Sequence, residues 1–155
     1  MQQERHMQES LDQFFSACRE AGLRITPQRS AIYKAVLEHG DHPTASEIHK
    51  WIARDMPHVS IDTVNRTLHS FHDMGLLNIV EGEGGPRRFD PNTRSHHHLH
   101  CDRCGKIIDF YSDAADNMPI PPEVQNDFIV ERKRIVLSGI CRECMNANDA
   151  SGSGT

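Results

Sequence analysis

At 155 residues the chain has room for one ordinary domain or two small ones, and no apolar run approaches the roughly 20 residues that cross a bilayer. Its net charge of −5 is spread evenly, with 10 Lys/Arg against 13 Asp/Glu in residues 1–90 and 7 against 9 in residues 91–155, so bulk charge does not advertise nucleic acid and any DNA contact must rest on local arrangement. The polar start Met-Gln-Gln-Glu-Arg-His has no apolar signal core behind it, which makes the cytoplasm the expected location and reduced thiols the expected state.

In the first part of the chain, Leu11, Phe14, Phe15 and Cys18 fall on one face of a helix that Gly22 closes. Cys18 on that face reads as a core cysteine. Thr26-Pro27 caps a second helix with Ile32, Ala35 and Val36 inward and Gly40 at its end. Thr44-Ala-Ser-Glu47 is a capping-box pattern for a third, whose stripe is Ile48, Trp51 and Ile52 before Pro57. Ser60 caps a fourth, with Ile61, Val64, Leu68 and Phe71 expected inward and Gly75 closing it. Asp62, Asn65, Arg66 and His69 then share the opposite face, where side chains of this kind can bond base edges. Leu76 to Val80 and Arg87 to Asp90 read as two strands around a Gly82–Gly85 turn. Helix, turn, helix and hairpin make a winged helix, with Arg87 and Arg88 in the wing placed to meet phosphates.

The second part carries metal chemistry. Cys101-Asp-Arg-Cys104 and Cys141-Arg-Glu-Cys144 are two CxxC pairs, a donor set suited to tetrahedral zinc and, in a thin domain, a source of folding energy. His96 and His98 alternate onto one side of an expected strand while His97 points away. Asp109 ends a run, Lys106 to Phe110, that reads as its hairpin partner. Two imidazoles and a carboxylate suit iron, manganese or zinc, although a cluster of surface histidines is the plainer alternative.

Arg24-Ile-Thr-Pro-Gln-Arg29, His42-Pro-Thr-Ala45, Ser60-Ile-Asp-Thr-Val64, Arg88-Phe-Asp90 and His96-His-His-Leu-x-Cys-x-x-Cys104 together resemble the ferric uptake regulator (Fur) family, from the first helix to Cys144. The resemblance implies an α+β chain: a winged-helix DNA-binding domain at 1–90, a hinge at 91–95, a small zinc-stapled α/β dimerisation domain at 96–146 and a disordered tail at 147–155. It implies a homodimeric repressor of palindromic double-stranded operator DNA, not an enzyme, with no membrane partner and no small-molecule substrate beyond metal and peroxide. The CxxC pairs match the family's structural zinc site. The regulatory site for Fe²⁺ or Mn²⁺ carries over onto His42, Asp90, His96, His98 and Asp109. DNA contacts carry over onto Arg24, Ser60, Asp62, Thr63, Asn65, Arg66, His69 and Arg87.

Asp109 resembles the peroxide-sensing (PerR) branch, in which bound Fe²⁺ reacts with hydrogen peroxide and a ligand histidine is oxidised. The matching oxidisable positions are His42 and His96. The iron-sensing branch usually carries glutamate where Asp109 stands. Arg66, however, is similar to the iron-sensing branch, and Asn65 replaces a tyrosine usual in the recognition helix. Peroxide sensing and reversible iron sensing therefore both stand, with zinc sensing third. A non-haem iron enzyme is a remote fourth, since five ligands leave little room for substrate and oxygen.

Overall fold

A computed structural model describes residues 2–80 and 85–149, and the chain divides into two compact units, residues 1–93 and 94–155. The division falls inside the 91–95 stretch, and the Gly82–Gly84 part of the expected wing turn lies outside the described residues.

The first unit runs α1 (Gln2–Glu20), α2 (Pro27–Glu38), α3 (Ala45–Ile52), α4 (Ile61–Asp73), β1 (Asn78–Val80) and β2 (Arg88–Asp90). Three helix starts and the ends of α1 and α4 are set by the residues the sequence pointed to, whereas α2 closes on His39 and α3 on Ala53, ahead of the expected stops at Gly40 and Pro57. The Thr26, Thr44 and Ser60 hydroxyls accept the backbone N–H three residues on, and Thr44 with Glu47 completes a full capping box. Gly22 and Gly75 take left-handed backbone, φ +64 and +73. That lets the Leu23 N–H reach Cys18 O at 2.8 Å and the Leu76 N–H reach Phe71 O at 2.9 Å, closing α1 and α4 with the same 6→1 bond.

One core fills the space between the helices. Phe14 stacks on Tyr33 at 4.8 Å, and Phe71 meets both edge-on at 5.5 and 5.6 Å. Ile32, Val36, Ile48, Val64 and Leu68 complete it, fully buried. Cys18 is buried there too, and that burial pushes its thiol up, against a smaller pull from Arg29, as befits an inert core cysteine. Ile61 departs from expectation. It is the first residue of α4, its neighbours Ser60 and Asp62 are exposed, and it remains 42 % exposed. The first strand is also shorter than expected: Leu76 and Leu77 are buried in the approach to it, and pairing with β2 begins only at Asn78↔Asp90.

The second unit runs β3 (His97–Cys101), β4 (Ile107–Phe110), α5 (Asp113–Asp116), α6 (Pro122–Gln125), β5 (Val136–Gly139) and α7 (Arg142–Asp149). The sheet order is β4-β3-β5, with β3 antiparallel to β4 and parallel to β5. The stretch from 147 to Asp149, expected to open a disordered tail, is the last part of α7, and residues 150–155 lie outside the described residues. Among the described residues, this unit buries few apolar side chains: Cys101 and Ile107 are buried, and beside them sit three buried imidazoles, His96, His97 and His98. Phe128, Ile129, Val136, Leu137 and Ile140 are all exposed. So small an apolar core needs help from a metal or a partner.

Candidate metal centre

The sheet brings the four cysteines together. Cys101 ends β3, Cys104 sits in the turn after it, and Cys141 and Cys144 lie at the start of α7, beyond the parallel strand β5. Their sulfurs all lie within 4.8 Å of one another. Cys104 Sγ and Cys141 Sγ are 3.8 Å apart. A tetrahedral ion with Zn–S bonds of about 2.3 Å sets its sulfurs about 3.8 Å apart, so the donor set fits zinc in chemistry and in spacing.

Electrostatics in the cluster calls for a cation. The backbone N–H of Cys141 donates to Cys101 Sγ at 3.3 Å. With that of Cys104, it holds the Cys101 thiol down to about 6. Cys144 is pushed the other way, up to about 12, first by the thiol of Cys141 and then by desolvation. Four thiolates this close repel one another until a divalent ion neutralises them. Across the site, Lys106 pairs with Glu143 at 3.0 Å and Arg103 donates to Cys144 O at 2.8 Å, tying the two CxxC segments further.

A second donor set lies in the same unit. Asp109 on β4 stands directly across from His98 on β3, and His96 comes just ahead of β3. The two Nε2 atoms are 2.9 Å apart, and Asp109 Oδ1 is 3.5 Å from that of His96 and 3.4 Å from that of His98. His96 Nδ1 donates to Arg94 O at 2.7 Å, which leaves its Nε2 lone pair aimed at the cluster. Two imidazoles bound side by side at about 2.1 Å from one ion sit about 3 Å apart, so the pair fits a first-row divalent metal.

In the first unit, His42 and Asp90 form their own buried pair, Nε2 to Oδ2 3.8 Å. His42 takes left-handed backbone, φ +53. A non-glycine residue held there costs about 1–3 kcal/mol and persists only where its surroundings impose it. Here β2 imposes it. Phe89 N–H donates to Pro43 O, Thr44 bridges to Arg88, and the Arg88 guanidinium donates to His42 O at 3.1 Å. Arg88 therefore faces His42 and Glu47, 3.8 Å away, instead of reaching out for phosphate. Asn92 N–H on Asp90 Oδ1 at 2.8 Å orients the carboxylate.

The α4 face holds its expected residues. Asp62, Asn65 and Arg66 are exposed, while Thr63 and His69 are half-buried. Ser60 and Thr63 spend their hydroxyls on each other and on the cap, 3.0 Å apart. Arg87 in the wing lies 3.4 Å from His69 Nε2, and Arg24 is exposed ahead of α2. His97 faces away from the donor cluster as its place on the strand predicts, but sequence reasoning missed the work of Arg88 and the burial of the His97 ring beside Asp116. An arginine one residue before a proposed ligand was the only signal for the first.

A winged helix joined to a Cys₄-stapled sheet with a separate His/Asp donor set defines a metal-responsive DNA-binding regulator. The ferric uptake regulator family model matches residues 20–138. The peroxide-responsive repressor PerR of Staphylococcus aureus is 34 % identical over 140 residues, 90 % of this chain and 95 % of that protein. The Vibrio cholerae ferric uptake regulator structure is 27 % identical, with a TM-score of 0.67 over 81 % of this chain and 98 % of that one. The Helicobacter pylori ferric uptake regulator, at 22 % identity and a TM-score of 0.71 over 90 % and 93 %, shares the fold. The chain belongs to the ferric uptake regulator family, whose members are metal-responsive transcriptional repressors.

Proposed function

We propose that this chain is a cytoplasmic, homodimeric repressor of palindromic operator DNA that senses hydrogen peroxide through bound iron. The observation that carries the reading is the pair of buried imidazoles, His96 and His98, beside half-buried Asp109, with aspartate as the carboxylate, in a chain 34 % identical to a peroxide-responsive repressor. By the family resemblance His42 and Asp90 also belong to the regulatory ligand set, and occupancy by the ion switches operator binding. The exposed apolar residues of the second unit, Val136, Leu137 and Ile140 among them, supply the face on which a second copy packs.

Bound Fe²⁺ supplies one-electron chemistry with peroxide that Mn²⁺ does not readily supply. The protein's part is to hold an imidazole C–H of His42 or His96 beside it. In net terms that C–H and one H₂O₂ give a 2-oxo-imidazole and water. The histidine loses two electrons, its ring becomes a poor ligand, and repression lifts.

The test is peptide mass spectrometry on protein loaded with Fe²⁺ without air and then exposed to dilute peroxide, beside a Mn²⁺-loaded control. One added oxygen on the His42 or His96 peptide is expected in the iron sample alone, together with lost operator binding. Unmodified histidines with DNA binding intact would instead establish a repressor that reads Fe²⁺ by reversible occupancy, the reading Arg66 favours.

On the DNA face, Asn65 and Arg66 are the exposed neighbours placed to read bases, with adenine suited to Asn and guanine to Arg. Arg66→Ala is expected to weaken operator binding by about 1–3 kcal/mol while changing non-specific binding little. A parallel loss on random DNA would make it a phosphate contact, and an unchanged operator affinity would take it out of the interface.

A further inference from the structure

One carboxylate holds the residues on both sides of His96. Asp116, the last residue of α5, accepts from the Ser95 hydroxyl at 3.0 Å and lies 3.3 Å from His97 Nε2, both through Oδ1. The His97 ring is fully buried and fixed at its other nitrogen as well. Ile135 N–H donates to His97 Nδ1 at 3.2 Å, so the ring proton sits on Nε2, the side of the ring beside the Asp116 carboxylate. Ile135 also returns its carbonyl to His98 N–H at 3.0 Å, and Phe110 packs its ring 5.3 Å from that of His97. Asp116 is itself held. Lys133 Nζ donates to the carbonyls of Asp116 and Met118, and Asp116 N–H bonds Ser112 O.

From Ser95 into β3 successive side chains turn to opposite sides, Ser95 and His97 to Asp116 and His96 and His98 to the donor set, so pinning the first pair sets how the second presents itself. We infer that Asp116 is a positioning residue: by clamping Ser95 and His97 it fixes the rotation of this segment and holds His96 in its metal-binding geometry. The inference rests on His96 being a ligand of the regulatory ion. His97 is not a ligand in this arrangement, because one nitrogen accepts from backbone and the other carries a proton. Groups that bond a ligand directly are worth about 10–100-fold in metal affinity, and Asp116, acting one residue further out, falls at the low end, about 10-fold.

The experiment titrates Co²⁺ into the full-length zinc-loaded protein and records its affinity and visible ligand-field bands. Asp116→Ala is expected to weaken Co²⁺ binding by about 10-fold and to move the bands, with zinc content unchanged. Asp116→Asn keeps an oxygen acceptor in the same place and is expected to recover most of the affinity and the wild-type bands. Unchanged affinity and spectrum in Asp116→Ala would overturn the clamp. So would equal damage from Ala and Asn together with the loss of a whole Co²⁺ equivalent, since Asp116 would then be a ligand in its own right. Should Asp116→Ala shed zinc, Ser95→Ala removes the hydrogen bond to Asp116 and leaves its contact with His97, and is expected to give a smaller weakening with the same band shift. No change there would sink the proposal. His96→Ala serves as the separate check on the site: if it binds Co²⁺ as the wild type does, His96 is no ligand, and the proposed regulatory site falls along with the clamp.

Discussion

Cys101→Ser is expected to lose the zinc ion and dimerisation together, while the first unit stays folded. Zinc binding in small Cys-rich domains carries apparent free energies of about 10–16 kcal/mol, and since the site does not exist in the unfolded chain this is folding energy. The second unit has little to set against its loss. Its buried side chains are mostly imidazoles, and β5 is exposed along its whole length. Cys101 is also the most connected of the four. It ends β3, its backbone N–H bonds Lys106 O, and its sulfur receives the Cys141 N–H. The first unit has an aromatic and aliphatic core of its own around Phe14, Tyr33 and Phe71. Metal analysis, sedimentation and circular dichroism check the outcome together. Zinc should vanish, the mass should fall to that of a monomer, and helical signal from the first unit should survive. A zinc-free dimer of normal stability would remove the structural role assigned to these thiolates.

The contrast between the units explains what was legible in the sequence. Helix ends were readable because caps are local: Thr26, Thr44 and Ser60 each act on a backbone group three residues away, and Gly22 and Gly75 act on their own φ. The CxxC pairs were readable because two sulfurs three residues apart already define half a tetrahedral site. His96, His98 and Asp109 needed one step more, the alternation of a strand and a hairpin partner in register, and the pairing His98↔Asp109 supplied it. Ile61 was misplaced because periodicity assigns a face to every residue of a helix, while the core reaches α4 only from Val64 onward. The Asp116 clamp was not legible at all, and the turning of Arg88 onto His42 left only the trace of its place beside Asp90. Each joins residues more than 20 apart through a single hydrogen bond, and no periodicity marks such a contact. The strained backbone of His42 was hidden for the same reason: it is imposed by β2, 46 residues along the chain.

His98→Ala is expected to abolish the metal response while leaving the zinc site and the fold in place. His98 sits at the middle of the donor set, 2.9 Å from His96 and 3.4 Å from Asp109, with its ring fully buried. Loss of a direct ligand should cost at least as much as loss of a supporting group, which puts the fall in Mn²⁺ affinity at about 100-fold or more. Linkage then gives the size of the thermal signal. Free Mn²⁺ at about 100 times the wild-type Kd stabilises the native state by about 2.7 kcal/mol. At the same concentration a variant bound about 100-fold more weakly is only half occupied and gains about 0.4 kcal/mol. Metal-dependent stabilisation should therefore shrink by about 2 kcal/mol, read as the difference in unfolding free energy with and without Mn²⁺. Operator binding in the presence of Mn²⁺ should fall to the level of the metal-free wild type. Cys101 lies three residues further along the same strand, so the comparison also separates the two metals: zinc content should remain at the wild-type value in His98→Ala and disappear in Cys101→Ser. A variant that keeps both its Mn²⁺ stabilisation and its metal-dependent DNA binding would show that the ion governing repression sits elsewhere, and the buried imidazoles of β3 would then be packing for a small sheet.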